Sequence, residues 1–424
     1  MKQLSKPALF PDTKGFLYFV LTLFIFIMLR LFFEYQNYKT FIEKPFYYTY
    51  AQVIHSYEKT KNAKTYKVLK LRSDEGFSFY TTSHRKEDFN HKRLRLQIFP
   101  NDSISFLDYL GIFYVKSKIK QQEKIPLTFK DTLLQKVASQ HENKDLASFY
   151  AAIFFATPLE PTLREKVALL GVSHLVALSG FHLGILWTLV YGILFLIYRP
   201  FQQSYFPYRH ALFDVGILAM TILGIYVWFV DFPPSLLRSY AMVFVGWAVL
   251  LLGLELLSFR FLLAIFLLLG LIFPSLLVSL GFWLSVAGVF YIFLLLQYSK
   301  SWNKWLISLV LIPVGIFILM LAIVHSVFGI TSAYQLLSPL LSLLFIPFYP
   351  LAMLAHLLGW GGIFDVVLLD LFTLVNEGEE HILSLGLLLI YLALSLGAIW
   401  SKRVFYILLA SAVLYMLYLF IPIE

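Results

Sequence analysis

Ten apolar stretches constrain this chain more than any other feature. A membrane-spanning helix needs about 20 predominantly apolar residues. The stretches cover residues 16–33, 171–199, 211–230, 236–257, 260–273, 276–297, 305–325, 333–358, 382–399 and 403–421. Hydrophobic residues make up 59% of the chain and charged residues only 14%, which is more apolar surface than a water-soluble core can bury. The sequence therefore predicts a polytopic α-helical membrane protein.

The first stretch predicts an N-terminal transmembrane anchor whose start lies in the cytoplasm. Lys2, Lys6 and Lys14 precede it, as the positive-inside rule requires. A cleavable signal peptide is the alternative, but no small-x-small cleavage site follows. We expect residues 1–43 to form a cytoplasmic start and the first transmembrane helix.

Residues 44–130 differ from the rest of the chain in charge. They hold 17 Lys and Arg against 8 Asp and Glu, an excess of nine that equals the net charge of the whole chain. Five β-rich runs follow one another there, and turn-like SDEG and PNDS segments lie between them. This pattern predicts an inserted soluble domain, a small OB-like β barrel. Long basic domains can still be exported, because they cross the membrane largely regardless of charge.

Basic and aromatic residues, among them Tyr48 and Tyr50, are interleaved along these predicted strands. The composition suits single-stranded nucleic acid, because cations track the phosphates and rings stack on the bases. The candidate contacts are Lys67, Lys70, Arg72, Arg93, Arg95, Phe79 and Tyr80. A solvated basic face over an ordinary aromatic core is the alternative interpretation.

A helix with a polar first half and an apolar end follows, and Pro158 and Pro161 end it. We expect residues 131–165 to form an amphipathic, interfacial segment along the membrane surface. Residues 166–424 then form the transmembrane domain, with about 8–10 helices.

Polar residues interrupt the stretch from Gly171 to Arg199. His174, Ser179 and His182 lie where lipid would reject them. Small residues recur there every fourth position, at Gly180, Gly184, Thr188 and Gly192. They predict a face for close helix packing, with His182 on the far side looking into the space that the helices enclose. Ser179-Gly180 predicts a break in the helix. The alternative is that these polar groups are satisfied between packed helices.

Three motifs resemble segments of one family in the same order. HLVALSGFHLG is similar to the signature of the ComEC family, the inner-membrane DNA channel of natural transformation. PPSLLRSYAMV (Pro233–Val243) and LVSLGFWLSVAGV (Leu277–Val289) resemble two later segments of that family. The resemblance implies a channel for single-stranded DNA in the bacterial cytoplasmic membrane, with the soluble domain on the periplasmic or extracellular side.

The DNA path is expected to lie among polar and small residues of these motifs. The candidates are His174, Ser179, Gly180, His182, Arg238 and Ser285. Residues for the mouth of the path or for packing are Asp231, Ser235, Ser239, Gly281, Trp283 and His325. The guanidinium of Arg238 suits a phosphate contact, although an arginine near a span end often snorkels to lipid headgroups.

The resemblance also implies partners. These are single-stranded DNA, membrane lipid, a DNA receptor on the outer side, and a cytoplasmic motor or single-strand-binding protein. The glycine stripes would allow a homodimer but serve packing within one chain equally well.

Catalytic and metal motifs are missing from the sequence. The chain has no cysteine, no phosphate-binding loop, and no carboxylate at ligand spacing from His174 or His182. Many ComEC proteins carry a C-terminal metallo-β-lactamase-like domain, whose motif this sequence lacks. We therefore expect a short form without nuclease activity, metal or cofactor. A small-solute permease or exporter and an intramembrane acyltransferase stay open as alternatives.

Overall fold

The computed structural model describes residues 12–61, 64–85, 87–126, 128–251, 258–375 and 377–421. These residues are mostly helical, with one six-stranded sheet. They divide into two compact units. One unit is built mainly from Leu133–Leu262 and Trp283–Glu424, and the other from Phe10–Thr132 and Leu263–Phe282.

The anchor helix α1 (Thr13–Ile42) opens the unit that contains the sheet. The Asp12 side chain caps it by accepting a hydrogen bond from the backbone N–H of Gly15. Its last turn belongs to the sheet domain, because Phe41 is buried in the sheet core and the Tyr38 hydroxyl donates to the Ile104 carbonyl at 2.7 Å. The helix therefore runs beyond the predicted span at 16–33, since tertiary packing extends it.

Six strands form one sheet in the order β5-β3-β2-β1-β4-β6. The strands are β1 (Tyr47–Lys61), β2 (Lys64–Ser73), β3 (Ser78–Ser83), β4 (Lys92–Phe99), β5 (Ile112–Tyr114) and β6 (Lys116–Lys124), with the short helix α2 (Phe106–Leu110) between β4 and β5. Four of the predicted runs each form one strand, and the fifth divides at Val115 into β5 and β6. A sheet domain is therefore confirmed, whereas the closed OB-like barrel stays a prediction.

One face of the sheet is apolar and buried. Successive side chains of a strand point to opposite faces, so a period of two in the sequence separates core from surface. The completely buried residues on the inner face are Ala51, Leu69, Leu71, Phe79, Leu94, Leu96 and Ile98. The basic residues between them are thereby left for the other face.

The second unit consists of helices. Its N-terminal helices are α3 (Phe129–Ala138), α4 (Lys144–Phe155), α5 (Pro161–Leu169), α6 (Ser173–Val176), α7 (Gly180–Tyr205), α8 (Ala211–Phe229), α9 (Pro234–Leu251) and α10 (Phe259–Ile272). Then follow α11 (Leu280–Tyr298), α12 (Lys304–Leu306), α13 (Ile312–His325), α14 (Ser338–Leu358), α15 (Asp365–Thr373), α16 (Leu385–Gly397) and α17 (Lys402–Phe420). The first residues of α3 and α11 and most of α10 belong to the unit that contains the sheet.

Seven helical runs among the described residues are long and apolar enough to span a membrane, which confirms a polytopic helical protein. They are Thr13–Ile42, Gly180–Tyr205, Ala211–Phe229, Leu280–Tyr298, Lys304–His325, Ala333–Leu358 and Lys402–Phe420. Three shorter apolar helices overlap the other predicted stretches, namely Ser235–Val249, Phe259–Ile272 and Leu385–Gly397.

The single helix predicted after residue 131 is two helices, α3 and α4. The Asn143 side chain caps α4 by accepting from the Asp145 N–H at 2.8 Å, which starts a new helix after a polar turn. Helix α4 is buried almost throughout its length, with Leu146, Tyr150 and Ile153 fully inaccessible. It therefore packs inside the protein, and the interfacial position of residues 131–165 along a membrane surface stays a prediction.

Two basic loops lie at the same end of the C-terminal helices. The Tyr298 hydroxyl donates to the Ala398 carbonyl at 2.6 Å, and Gln297 Nε2 donates to the Ile399 carbonyl at 3.0 Å. The loop with Lys300 and Lys304 is thus adjacent to the loop with Lys402 and Arg403.

A short pair of strands lies at the opposite end of α13. β7 (Ile330–Thr331) pairs with β8 (Glu379–Glu380), and the His381 N–H donates to the Gly329 carbonyl at 2.7 Å. The chain between residues 332 and 378 therefore leaves this end and returns to it. This return explains how both basic loops lie on one side although a spanning-length helix, α14, lies between them.

This topology predicts from which side of the membrane a single introduced cysteine reacts. The natural chain has no cysteine, so each variant carries one label site. Ser301→Cys and Arg403→Cys should react with a membrane-impermeant maleimide from the same side, and Glu380→Cys from the other. Labelling is measured on intact cells and on inside-out vesicles. Reaction of positions 301 and 403 from different sides would contradict the topology.

Candidate functional site

The predicted break at Ser179-Gly180 is confirmed. Helix α6 ends at Val176, Ala177 is extended, and α7 begins at Gly180. Ser179 is the N-cap, since its hydroxyl accepts from the Phe181 N–H at 3.4 Å. The Ser179 N–H donates in turn to His182 Nδ1 at 3.3 Å, so the two side chains form a reciprocal capping box.

The first two family-like motifs meet at this break. The Ser235 hydroxyl, at the start of α9, donates to the Leu178 carbonyl at 2.7 Å. The Ser239 hydroxyl donates to the Ser235 carbonyl at 2.8 Å, and a β-carbon added at Gly180 would lie 3.1 Å from its oxygen. A β-carbon at residue 180 would therefore press on Ser239, so the close approach of α7 and α9 favours glycine there.

His182 lies in a packed aromatic cluster. It is completely buried, and the rings of Phe345 and Tyr349 lie 5.0 and 4.8 Å from its ring, both nearly perpendicular to it. In this structure His182 therefore faces packed side chains and not open space, and its place on the DNA path stays a prediction. The capping box explains this orientation, because it turns the ring back toward Ser179 and into the protein.

The small-residue stripe of α7 packs closely only at its first position. β-Carbons added at Gly184 or Gly192 would meet nothing within 4 Å, and Thr188 is exposed with its hydroxyl bonded to the Gly184 carbonyl. We call these three residues the open face of α7. His174 is also exposed, and its Nε2 lies 3.2 Å from the Ser342 hydroxyl.

Arg238 lies one turn into α9 and is only 5% exposed. Its side chain is thus enclosed by protein, which disfavours the interpretation as an arginine that snorkels to headgroups. The turn before α9 is strained, since Asp231 and Phe232 have φ values of 65° and 50° although neither is glycine. Asp231 itself is exposed.

The remaining transmembrane candidates are spread over other helices. On α11, Trp283 is 50% exposed and Ser285 is half-buried, while a β-carbon at Gly281 would meet only the Ser279 hydroxyl, at 3.9 Å. His325 is buried, with Nδ1 3.0 Å from the Leu321 carbonyl and Nε2 3.0 Å from the Thr331 hydroxyl. Both ring nitrogens of His325 therefore have hydrogen-bond partners within the protein.

The sheet gathers most of the predicted nucleic-acid contacts on its outer face. Register places Lys70 opposite Tyr80, Gln52 opposite Arg72 and Arg93, and Tyr50 opposite Arg95. The Arg95 guanidinium lies 5.7 Å from the Tyr48 ring and 5.8 Å from the Tyr50 ring. These two tyrosines are 46% and 42% exposed, so cations and rings share one accessible surface.

Two of the predicted contacts do not lie on this outer face. Phe79 is completely buried in the core, so it cannot stack on a base. Lys67 has the same parity as Leu69 and Leu71 and therefore belongs to the inner face, where its ammonium donates to the Glu87 carbonyl at 2.9 Å. Composition alone did not separate the two faces here.

Electrostatics distinguish the basic residues of the outer face. Arg93 is hydrogen-bonded to Asp74, and this contact raises the pKa of its guanidinium while neutralising its charge locally. Burial lowers the pKa of the Lys70 ammonium. Arg95, stacked beside two exposed tyrosines, is thus the best placed of the three to meet a phosphate and a base together.

The sequence patterns do not predict one polar cluster that the structure contains. Gln140 and His141, just after α3, meet His356 near the end of α14 and Asp365 at the start of α15. The signal available was weak: a histidine one turn before the end of an apolar stretch, and an aspartate after a Gly-Gly turn. Within the described ranges, no group of three or more His, Cys, Asp or Glu could hold a metal ion.

The contact at Gly180 predicts a position-specific effect of a large side chain. Gly180→Leu should destabilise the α7–α9 pair by about 1–3 kcal/mol, because the new side chain overpacks against Ser239. Gly184→Leu is the matched control, since it makes the same change on the open face. The apparent melting temperature in detergent and the cellular abundance measure the difference. Equal effects at both positions would contradict the packing.

Comparison with known proteins places these features in a family. A search of curated proteins returns no match, and neither does a search of solved structures. A family model described as Competence protein matches residues 156–424, which is more than half of the chain and includes the break before α7 and its contact with α9. The chain therefore belongs to the Competence protein family.

Proposed function

We propose that this protein is a channel that carries single-stranded DNA across the bacterial cytoplasmic membrane during natural transformation. The observation that carries the proposal is the Competence family match over residues 156–424, which coincides with a polytopic helical unit. The role proposed is transport rather than catalysis. Partners in this role are a DNA receptor outside and a motor or single-strand-binding protein in the cytoplasm.

The orientation of the channel follows from its basic loops. Lys300, Lys304, Lys402 and Arg403 lie at one end of the helices, and the positive-inside rule assigns that end to the cytoplasm. The lysines before α1 likewise favour a cytoplasmic N-terminus, so a single crossing by α1 exports the sheet domain to the periplasmic or extracellular side.

The outer face of the sheet is proposed as the surface that receives the strand. Arg95, Arg72 and Lys70 would follow the phosphates, and Tyr48, Tyr50 and Tyr80 would stack on bases. Because neutralised phosphates release counterions, such binding weakens as salt rises. No sequence preference is expected, since every base has a π face.

The helices around the break before α7 are proposed to carry the strand onward. His174 and the open face of α7 are accessible, whereas His182 supports the packing behind them. Arg238 is enclosed in this conformation, so its contact with a phosphate requires that α9 moves relative to its neighbours during transport.

If the outer face of the sheet binds DNA, removal of a positive charge from that face should lower the affinity for single-stranded DNA more than its removal from the inner face. Arg95→Gln should weaken single-stranded DNA binding by the purified full-length protein and reduce its salt dependence by about 0.7 in log–log slope, the value for one phosphate contact. Lys67→Gln is the matched control, because it removes the same charge from the inner face. Fluorescence anisotropy with a labelled oligonucleotide measures both. Equal losses would show that only net charge matters.

Arg238 predicts a transport defect that is separate from folding. Arg238→Gln should lower uptake of labelled DNA into the cytoplasm by about tenfold or more, as expected for the loss of a charge-assisted hydrogen bond, with the outside-bound pool unchanged. Arg238→Lys keeps the charge and should retain part of the uptake. Protein abundance is measured in the same cells. Normal uptake in Arg238→Gln at wild-type abundance would exclude a role in transport.

A further inference from the structure

The cluster around His141 joins two distant parts of the helical unit. Gln140 and His141 lie in the turn between α3 and α4, His356 lies in the last turn of α14, and Asp365 is the first residue of α15. The His141 side chain is completely inaccessible, and the Asp365 side chain is 19% exposed. Because the His141 side chain is buried, its ring nitrogens need hydrogen-bond partners within the protein.

Each nitrogen of the two imidazole rings has a partner. His141 Nδ1 lies 2.8 and 3.0 Å from the two Asp365 oxygens. His141 Nε2 lies 2.9 Å from His356 Nε2. His356 Nδ1 lies 2.7 Å from the Ala352 carbonyl oxygen. The four groups therefore form one continuous hydrogen-bonded chain from a carboxylate to a backbone carbonyl.

Counting protons along this chain gives a definite result. A carbonyl oxygen only accepts, so His356 Nδ1 carries a proton and His356 Nε2 of a neutral ring is an acceptor. His141 Nε2 must then donate to it. His141 Nδ1 must also donate, because an ionised carboxylate only accepts. With Asp365 ionised, one of the two rings therefore carries protons on both nitrogens, and without this additional proton two lone pairs would face each other.

An aromatic ring supports the positive charge. The Tyr150 ring is parallel to the His141 ring within 9°, with the two centroids 4.5 Å apart. Its centroid is also 4.4 Å from that of His356. The face of an aromatic ring attracts a cation, and more strongly when water is excluded. The same ring thus covers both members of the pair.

We propose that His141 and His356 form a proton-binding site, in which one additional proton is held between the two rings with Asp365 as its counter-ion. The bound proton ties the turn after α3 to the turn between α14 and α15. Among the described residues, the titratable groups in contact with the pair are Tyr150 from α4 and Asp365 from α15. A proton rather than a metal ion is assigned because 2.9 Å is a hydrogen-bond distance and only two nitrogen ligands converge.

Loss of the proton loosens this tie without breaking it. Gln140 joins the same two segments by neutral hydrogen bonds, since its Nε2 donates to the His356 carbonyl at 3.1 Å and its Oε1 accepts from the Gly361 N–H at 2.7 Å. Helix α14 also carries Phe345 and Tyr349 against His182. Occupancy of the proton site therefore biases how firmly α14 is held beside the start of α7.

The sign of the pH effect follows from linkage. A proton that the folded state binds and the unfolded chain releases stabilises the fold at low pH, and this stabilisation is lost as pH rises and the site empties. The apparent melting temperature of the wild type in detergent should therefore fall, relative to a variant without the site, by roughly 2–4 °C per pH unit while the site empties.

Asp365→Asn is the decisive variant. The asparagine amide donates to His141 Nδ1, so the chain of hydrogen bonds is complete without an additional proton. This variant should fold and show a flatter pH profile than the wild type, and His141→Gln should show the same flattening with lower stability. His325→Gln is the matched control, because His325 is also buried but its partners are neutral. This variant should lower the melting temperature, but the melting temperature should change with pH as steeply as in the wild type.

Parallel pH profiles for the wild type and Asp365→Asn would overturn the proposal. A melting temperature that rises with pH when Zn²⁺ is added, and does so only with both histidines present, would show a metal site instead, because metal ligands must lose their protons.

Nitrogen-15 spectra of histidine-labelled wild type at pH 8 test the proton site without any variant. One doubly protonated imidazole among the ten histidines is expected, and its absence would refute the site. None of these measurements involves DNA, so they stand or fall apart from the transport function.

Discussion

A helix that stops inside an apolar segment frees backbone carbonyls, and the arrangement around α7 depends on how one of them is satisfied. Ser235 donates to the Leu178 carbonyl at the break, and this bond requires the start of α9 to lie against the start of α7. That approach in turn leaves little room for a β-carbon at residue 180. One hydrogen bond therefore links the two motifs to the residue type at the start of α7.

Hydrophobic length and strand periodicity made much of the fold predictable. Apolar runs located the helices, and the strand runs appear where β-branched and aromatic residues alternate with basic ones. The face of Lys67 was predictable in principle, because its parity equals that of Leu69. The direction of His182 was not, since it depends on a capping box whose geometry outweighs helical spacing. The meeting of His141 with His356 was not either, because no local pattern records contacts over 215 positions in sequence.

Charge is segregated in two ways in this chain. On the sheet, period-two alternation sends Arg95 and Lys70 to one face and the leucines to the other, so the domain can be strongly basic and still have an apolar core. In the helical unit, Lys300, Lys304, Lys402 and Arg403 lie in or beside loops, whereas Asp365 is mostly buried beside an imidazole. Burial of an ionised group in such surroundings is costly unless it is paired, which explains why Asp365 faces an imidazole.

The anchor helix has a mechanical consequence for the sheet domain. At 30 residues α1 is about 45 Å long, whereas the hydrocarbon core of a bilayer is about 30 Å thick. Phe41 and Tyr38 fix its last turns to the sheet core, so no flexible joint separates the anchor from the strands. A thinner or thicker bilayer changes the tilt of a spanning helix. The sheet domain would then tilt together with α1. Lipid composition would therefore set the direction in which the basic face of the sheet points.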